Sequence, residues 1–250
     1  VVFERNSQVG LAPASCQKVV TSVSAFELLG KDFTYKTTMG YSGNFDGTSL
    51  NGNILFTGYG DPTLGSWRWE KTKEEMVKQQ IATALKKKNI SSVNGNLVID
   101  ESKWESQATP GGWIWEDVGN YYGAGARALN WHENQYDLIL RPGKKPGDSV
   151  GIIATEPPLQ ASVLVNELKT GKTGSGDQSI IYLPEDGLIG YVRGTIPAGK
   201  ETFTVSGSMP DASLPFIKMT ESILDSINIK LDGRAKTSDH YFLNKEKLPV

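Results

Sequence analysis

Cysteine is nearly absent from this sequence. Cys16 is the only one in 250 residues, so no disulfide can close within the chain. Its neighbour is Ser15, but adjacent helical residues point about 100° apart, and Cys16 reads as a small core residue. Histidine is almost as scarce. His132 and His240 are the only two, too far apart in sequence for the ligand spacing of a zinc site, and no metal or cofactor is expected. Gly171-Lys172-Thr173 imitates the end of a phosphate-binding loop, but the position that needs the earlier glycine holds Asn166. Charge of one sign is also lacking. Lys and Arg number 26 against 28 Asp and Glu, and no basic stripe forms, which excludes nucleic acid as a partner. Lys86-Lys87-Lys88 reads as a solvated helix end that complements the helix dipole. No apolar run could span a bilayer, and no signal peptide, fixed-period repeat or low-complexity tract is visible. Val1-Val2-Phe3 opens inside what reads as a strand, so the expectation is that an N-terminal piece has been removed.

Turn formers are plentiful, with 27 glycines and 12 prolines against 38% hydrophobic residues. That balance describes a mixed α and β protein of one large domain or two to three small ones. Apolar periodicity predicts strands over residues 34–39, 49–57 and 96–100 and a helix over 73–88, with Thr72 as its cap and Glu74 and Glu75 in its first turn. Residues 136–204 read as a run of short strands, at 136–140, 161–165, 179–183 and 187–196. A second amphipathic helix is predicted over 213–227, followed by a strand at 229–231.

The chemistry begins at Ser15-Cys16-Gln17-Lys18, an S-x-x-K at the start of a predicted helix that runs to Gly30. Residues three apart share a helix face, so Ser15 and Lys18 point the same way. Serine becomes a nucleophile when a base takes its proton, and a lysine can be that base when its surroundings disfavour the ammonium form. On spacing alone, a capping serine followed by a solvated lysine fits equally well. Val19, Val20, Val23, Phe26 and Leu29 mark a face expected to be buried, which would aim the pair into a cleft. Farther along, Gly111 to Tyr122 is an aromatic loop carrying Trp113, Trp115, Glu116, Asp117, Tyr121 and Tyr122. Such a loop serves as core, or as the lining of a polar-ligand pocket.

Taken in order, several stretches resemble one family. Ala12-Pro13-Ala14-Ser15-Cys16-Gln17-Lys18-Val19 is similar to the nucleophile motif of the D-alanyl-D-alanine carboxypeptidase/endopeptidase family, the class C penicillin-binding proteins. Gly60-Asp61-Pro62-Thr63-Leu64, Gly112-Trp113-x-Trp115-x-Asp117, Tyr122-Gly123-Ala124 with Ala128-Leu129-Asn130-x-x-Glu133-Asn134, Gly174-Ser175-Gly176-Asp177 and Arg193-Gly194-Thr195-Ile196-Pro197 resemble its later blocks. S-x-x-K, with S-x-N-type and K-T-G motifs, marks penicillin-binding proteins and related β-lactamases.

The resemblance implies an α/β (α+β) multidomain fold. A penicillin-recognising serine transpeptidase-like domain, present in part as residues 1–40 and 239–250, would be interrupted by a large inserted α/β domain at 41–137 and 205–238. A small all-β domain at 138–204 would nest inside the insertion. It implies a serine DD-peptidase acting on peptidoglycan stem peptides through an acyl-enzyme, with Ser15 as nucleophile and Lys18 as general base. Asp117 would pair with the free amine of the stem's diamino acid, with Tyr122 packed beside it. It also implies acylation by β-lactams, a periplasmic or otherwise extracytoplasmic bacterial setting, and room for peripheral membrane association.

The family's relay S-x-N and substrate-binding K-T-G have only decoys here. Ser42-Gly43-Asn44, Ser92-Val93-Asn94 and Ser226-Ile227-Asn228 read S-x-N, while Lys169-Thr170-Gly171 and Lys172-Thr173-Gly174 read K-T-G. All fall where the family places inserted domains, and the tandem K-T-G reads as a mobile surface loop. The expectation is therefore an N-terminal half whose partner is the missing C-terminal half of the catalytic domain, inactive on its own. Two other readings remain open at this level: a non-catalytic peptidoglycan-binding scaffold, and a serine β-lactamase or esterase on the same domain type.

Overall fold

The computed structural model of the chain describes residues 3–249, so Val1 and Val2 of the expected opening strand lie outside the described residues. Two compact units divide the chain, one ending at Tyr35 and one beginning at Lys36. The first unit is built on helix α1 (Gln17–Leu29), entered through a single 3-10 turn at Ala14–Cys16. Gly30 ends the helix with φ of 81°, and its N–H bonds back to Phe26 O, the glycine stop that the sequence signals. The apolar face expected to be buried is not. Val19, Val20, Val23, Phe26 and Leu29 are between 50% and 66% exposed. Periodicity says which face seeks cover; it does not supply the cover.

The second unit contains three sheets. Its chain order is β1 (Thr37–Phe45), β2 (Ser49–Gly58), α2 (Glu74–Lys87), β3 (Ser92–Val93), β4 (Leu97–Asp100), α3 (Trp115–Val118), β5 (Gln135–Arg141), β6 (Gly151–Glu156) and β7 (Val163–Asn166). It continues with β8 (Lys169–Gly171), β9 (Gln178–Tyr182), β10 (Ile189–Pro197), β11 (Phe203–Ser208), α4 (Ser213–Ser226), β12 (Lys230–Leu231), β13 (Ala235–Thr237) and α5 (Ser238–Leu243). β1 pairs antiparallel with β2 along its whole length, so β3 and β4, both parallel to β2, share the other edge. β12 and β13 then run parallel to β3 and β4.

Asn94-Gly95 separates β3 from β4. Asn96 N–H bonds to Asn53 Oδ1 at 2.9 Å, and Arg234 N–H bonds to Asn96 Oδ1 at 3.1 Å, so side chains carry the ladder across the gap. The backbones close tightly there. A Cβ on Gly95 would come within 2.1 Å of Gly52 O, and one on Gly233 within 2.1 Å of Gly95 O, a close approach open only to glycine.

Leu50, Ile54, Phe56, Val93, Leu97 and Ile99 turn one sheet face toward Val77, Ile81 and Leu85 of α2 and Phe216, Met219 and Ile223 of α4. Each such side chain gains about 1.5–3 kcal/mol on burial. The opposite face carries Leu55 and Val98, which pack with Tyr241 of α5. Thr72 does not cap α2; its hydroxyl donates to Trp69 O, and Lys73 occupies the cap position without a side-chain bond.

The remaining strands form two small sheets. β5 lies between β6 and β11, all antiparallel, and β10 runs parallel to β7 and β8 and antiparallel to β9. Lys169-Thr170-Gly171, expected in a mobile loop, is strand β8. Thr170 is buried, and its Oγ1 accepts the Gly143 N–H at 2.8 Å. Lys172-Thr173-Gly174 does lie in an exposed turn. The fold is thus mixed α/β.

Candidate functional site

Pro13, Ala14 and Ser15 bring the chain into α1. Ala14 has φ of 44°, a left-handed conformation that costs an alanine about 1–2 kcal/mol. Strain of this kind gathers at sites whose surroundings fix it. Ser15 follows in the 3-10 turn, and Lys18 sits in the first turn of α1. Ser15 Oγ and Lys18 Nζ are 3.0 Å apart and exposed, within reach for direct proton transfer. Cys16 is exposed rather than a core residue. A 3-10 turn at the helix entry, with the α1 surface uncovered, leaves no interior for it to enter.

The aromatic loop belongs to the second unit. It contains α3 and a 3-10 turn at Tyr121–Gly123. Asp117 lies in α3 and is half-buried; Tyr122 is exposed. The two are electrostatic neighbours. Burial raises the Tyr122 phenol above its ordinary 10.0, and the nearby Asp117 carboxylate raises it further, with smaller contributions from Tyr121 and Asp177. The Tyr121 and Tyr122 rings meet edge to face at 5.2 Å, and Trp115 leans over Tyr182 of β9 at 6.3 Å. Ser15 with Lys18, and Asp117 with Tyr122, are therefore two pairs on two separate units.

Sequence reasoning missed the parts that hold this loop. Asn120, 6% exposed, joins α3 to the small sheets. Arg127 binds Glu185 at 3.1 Å, Asp186 at 3.3 Å and Pro210 O at 2.6 Å, and Glu185 in turn accepts the Ala108 and Thr109 N–H groups. An asparagine behind an aromatic helix and an arginine among glycines and alanines carry no spacing signal of their own. A cavity of about 430 Å³ lies beside Glu101, Trp104, Arg127, Asp239 and Tyr241. Among the described residues, no three His, Cys, Asp or Glu side chains gather as metal ligands would.

The decoy triads are engaged in structure. Ser42 Oγ accepts from Asn53 Nδ2, Ser92 Oγ donates to Ser49 Oγ, and Ser226 Oγ donates to Ile223 O. Their hydroxyls hold sheet and helix ends.

Comparison with known proteins agrees with the family resemblance. D-alanyl-D-alanine carboxypeptidase DacB of Haemophilus influenzae is 30% identical over 161 residues, covering 64% of this chain and 32% of that protein. The D-alanyl-D-alanine carboxypeptidase of Actinomadura sp. R39 is 24% identical over 240 residues, covering 93% and 42%. Among solved structures, penicillin binding protein 4 (dacB) from Haemophilus influenzae superposes with a TM-score of 0.71 at 24% identity, covering 91% of this chain and 48% of that one. The same protein complexed with a β-lactam gives 0.63 at 22%. The chain thus spans between 32% and 48% of the length of these relatives. The sequence profile of the D-Ala-D-Ala carboxypeptidase 3 (S13) family matches residues 1–244, and the chain belongs to that family.

Proposed function

We propose that this chain carries the nucleophile and the substrate-recognition loop of a serine DD-peptidase acting on peptidoglycan stem peptides. The observation that carries the reading is the 3.0 Å approach of Lys18 Nζ to Ser15 Oγ at the start of α1, in a member of this family. Ser15 Oγ would attack the carbonyl carbon of the scissile D-Ala amide while its proton passes to Lys18 Nζ. The Ser15 amide would supply one donor to the oxyanion. Expulsion of the leaving amine, which takes up the proton, leaves an acyl-serine that water hydrolyses. A β-lactam would acylate the same oxygen.

Asp117 would bind the free ammonium of a diamino acid in the stem, with Tyr122 beside it. A charge-assisted hydrogen bond of this kind is worth on the order of 1.5–3 kcal/mol. The layout would be residues 1–40 and 239–250 in the penicillin-recognising domain, 41–137 and 205–238 in the inserted domain, and 138–204 in the nested β module. The three-stranded sheet β5–β6–β11 spans both junctions and would form the neck between the last two. The uncovered apolar face of α1 would pack against further chain of the penicillin-recognising domain. The setting would be extracytoplasmic, with room for peripheral membrane association; among the described residues no helix is long and apolar enough to cross a membrane.

Penicillin labelling followed by intact mass spectrometry tests the nucleophile. In the complete enzyme, one adduct should form at Ser15 and disappear in Ser15→Ala. The 250-residue chain alone should not label appreciably, because its S-x-N triads and Lys169-Thr170-Gly171 are committed to sheets and helix ends, and Lys172-Thr173-Gly174 lies in an exposed turn of the second unit. An adduct at another serine would overturn the assignment of Ser15. Stoichiometric labelling of the 250-residue chain would show that its own residues complete the site.

A further inference from the structure

Asn120 uses all four of its hydrogen-bonding groups at one junction. Its backbone N–H bonds to Asp117 O at 3.0 Å, and its backbone carbonyl accepts the Gly123 N–H at 2.8 Å. Its side-chain Nδ2 donates to Glu116 O, and its Oδ1 accepts the N–H of Ile181, in the middle of β9, at 3.1 Å. It also forms an antiparallel bridge with Gly207 of β11, while Ser208 N–H bonds to Gly119 O at 3.0 Å. Two glycines make the fit possible. A Cβ on Gly119 would lie 2.0 Å from Ile181 O, and one on Gly123 would lie 2.0 Å from Asp117 O.

The helix that carries Asp117 is therefore clamped to β9 through one buried side-chain amide, and to β11 through the backbone of Gly119 and Asn120. Ile181 is fully buried, so the anchor point belongs to the core of the small sheet. A buried amide with every partner satisfied is rigid, and removing it strands the Ile181 N–H and the Glu116 carbonyl. A recognition carboxylate must be held within a fraction of an ångström to meet a cation well.

We infer that Asn120 is the positioning residue for Asp117, and that the two small sheets act through it to set the preference for amine-bearing stem peptides. The inference rests on the reading of Asp117 given above. The small sheets contribute no group to the acylation chemistry; they hold the reader of the substrate in place.

The test compares two substrates in the complete enzyme: a stem peptide with a free amine on its third residue, and benzylpenicillin. Asn120→Ala should lower kcat/KM for the peptide by about tenfold to a hundredfold and leave benzylpenicillin acylation within about twofold. Adding Asp117→Asn to Asn120→Ala should cost little more than Asp117→Asn alone, since a misplaced carboxylate has little left to lose. If Asn120→Ala does not fold, the isosteric Asn120→Asp serves. It keeps the acceptor for Ile181 N–H but sets an oxygen against Glu116 O, and should show the same split. Equal losses on both substrates would make Asn120 a general structural residue and overturn the inference. If Asp117→Asn weakens the peptide and Asn120→Ala does not, this inference alone falls. If Asp117→Asn spares the peptide, the reading of Asp117 falls, and the inference with it.

Discussion

Glu101 offers a perturbation whose sign and size follow from its surroundings. It stands just past β4, at the wall of the cavity shared with Arg127, Asp239 and Tyr241. Burial pushes its carboxyl from the ordinary 4.5 up to about 7; Asp211 and Asp239 push the same way, and Arg127 and the Leu129 N–H oppose them. An acid with a raised folded-state pKa weakens the fold as pH rises. Between pH 4.5 and 7 the unfolded chain has released this proton and the folded chain still holds it, so stability falls across that window and levels off above it. At about 1.4 kcal/mol per pH unit, the loss is on the order of 3 kcal/mol. Glu101→Gln keeps the shape and the acceptor for Leu129 N–H but cannot ionise. Urea unfolding should find the variant close to wild type at pH 4 and more stable at pH 8, by up to about 3 kcal/mol. A difference that stays flat between the two pH values would refute the reasoning, as would a variant less stable at pH 8.

The Glu74–His132 contact has the opposite sign. The hydrogen bond from His132, at 2.6 Å, holds the Glu74 carboxyl down at about 2, so its stabilisation is full above pH 4.5 and is lost as pH falls toward 2. Glu74→Gln should cost on the order of 1 kcal/mol at pH 7, allowing for its partial exposure, and almost nothing near pH 2; an equal cost at both would exclude the ionic contribution. Exposed Cys16 should react with one equivalent of a thiol reagent on the folded chain, without denaturant, and a thiol that reacts only after unfolding would show that it is shielded.

Much of the second unit was legible because its elements carry strong local signals. α2 was readable from Met76, Val77, Ile81 and Leu85, and its observed limits differ from the expectation by one residue at each end. β2 and β4 were readable from runs of apolar residues buried on both faces. β3, β6, β8, β11 and β13 were not singled out. They are short, and their pairing is decided by partners distant in sequence, such as Phe203 with Leu140 and Ala235 with Leu97. For the site, S-x-x-K was legible because three residues of spacing fix a shared face. Asn120 was not, because its function depends on the N–H of Ile181, which only the fold brings to it.

The α1 face shows most clearly what periodicity leaves out. Five apolar side chains on a 13-residue helix remain at least half exposed. At about 1.5–3 kcal/mol for full burial of each, and with a little over half of their area still exposed, their uncollected burial amounts to about 4–9 kcal/mol, a large share of the stability of a domain. A helix of this length is marginal in water by itself. The 3.0 Å separation of Ser15 and Lys18 is a property of the first turn of that helix, so whatever covers the apolar face also governs how firmly the pair is held. Asp117 is different, because its helix is tied into the small sheets of its own unit through Asn120 and Gly119. The loop that would read the substrate is thus fixed from within the second unit, whereas the Ser15–Lys18 pair depends on what packs against α1. Damage to the small sheets should therefore alter which peptide is chosen, and loss of cover on α1 should alter whether any acyl-serine forms.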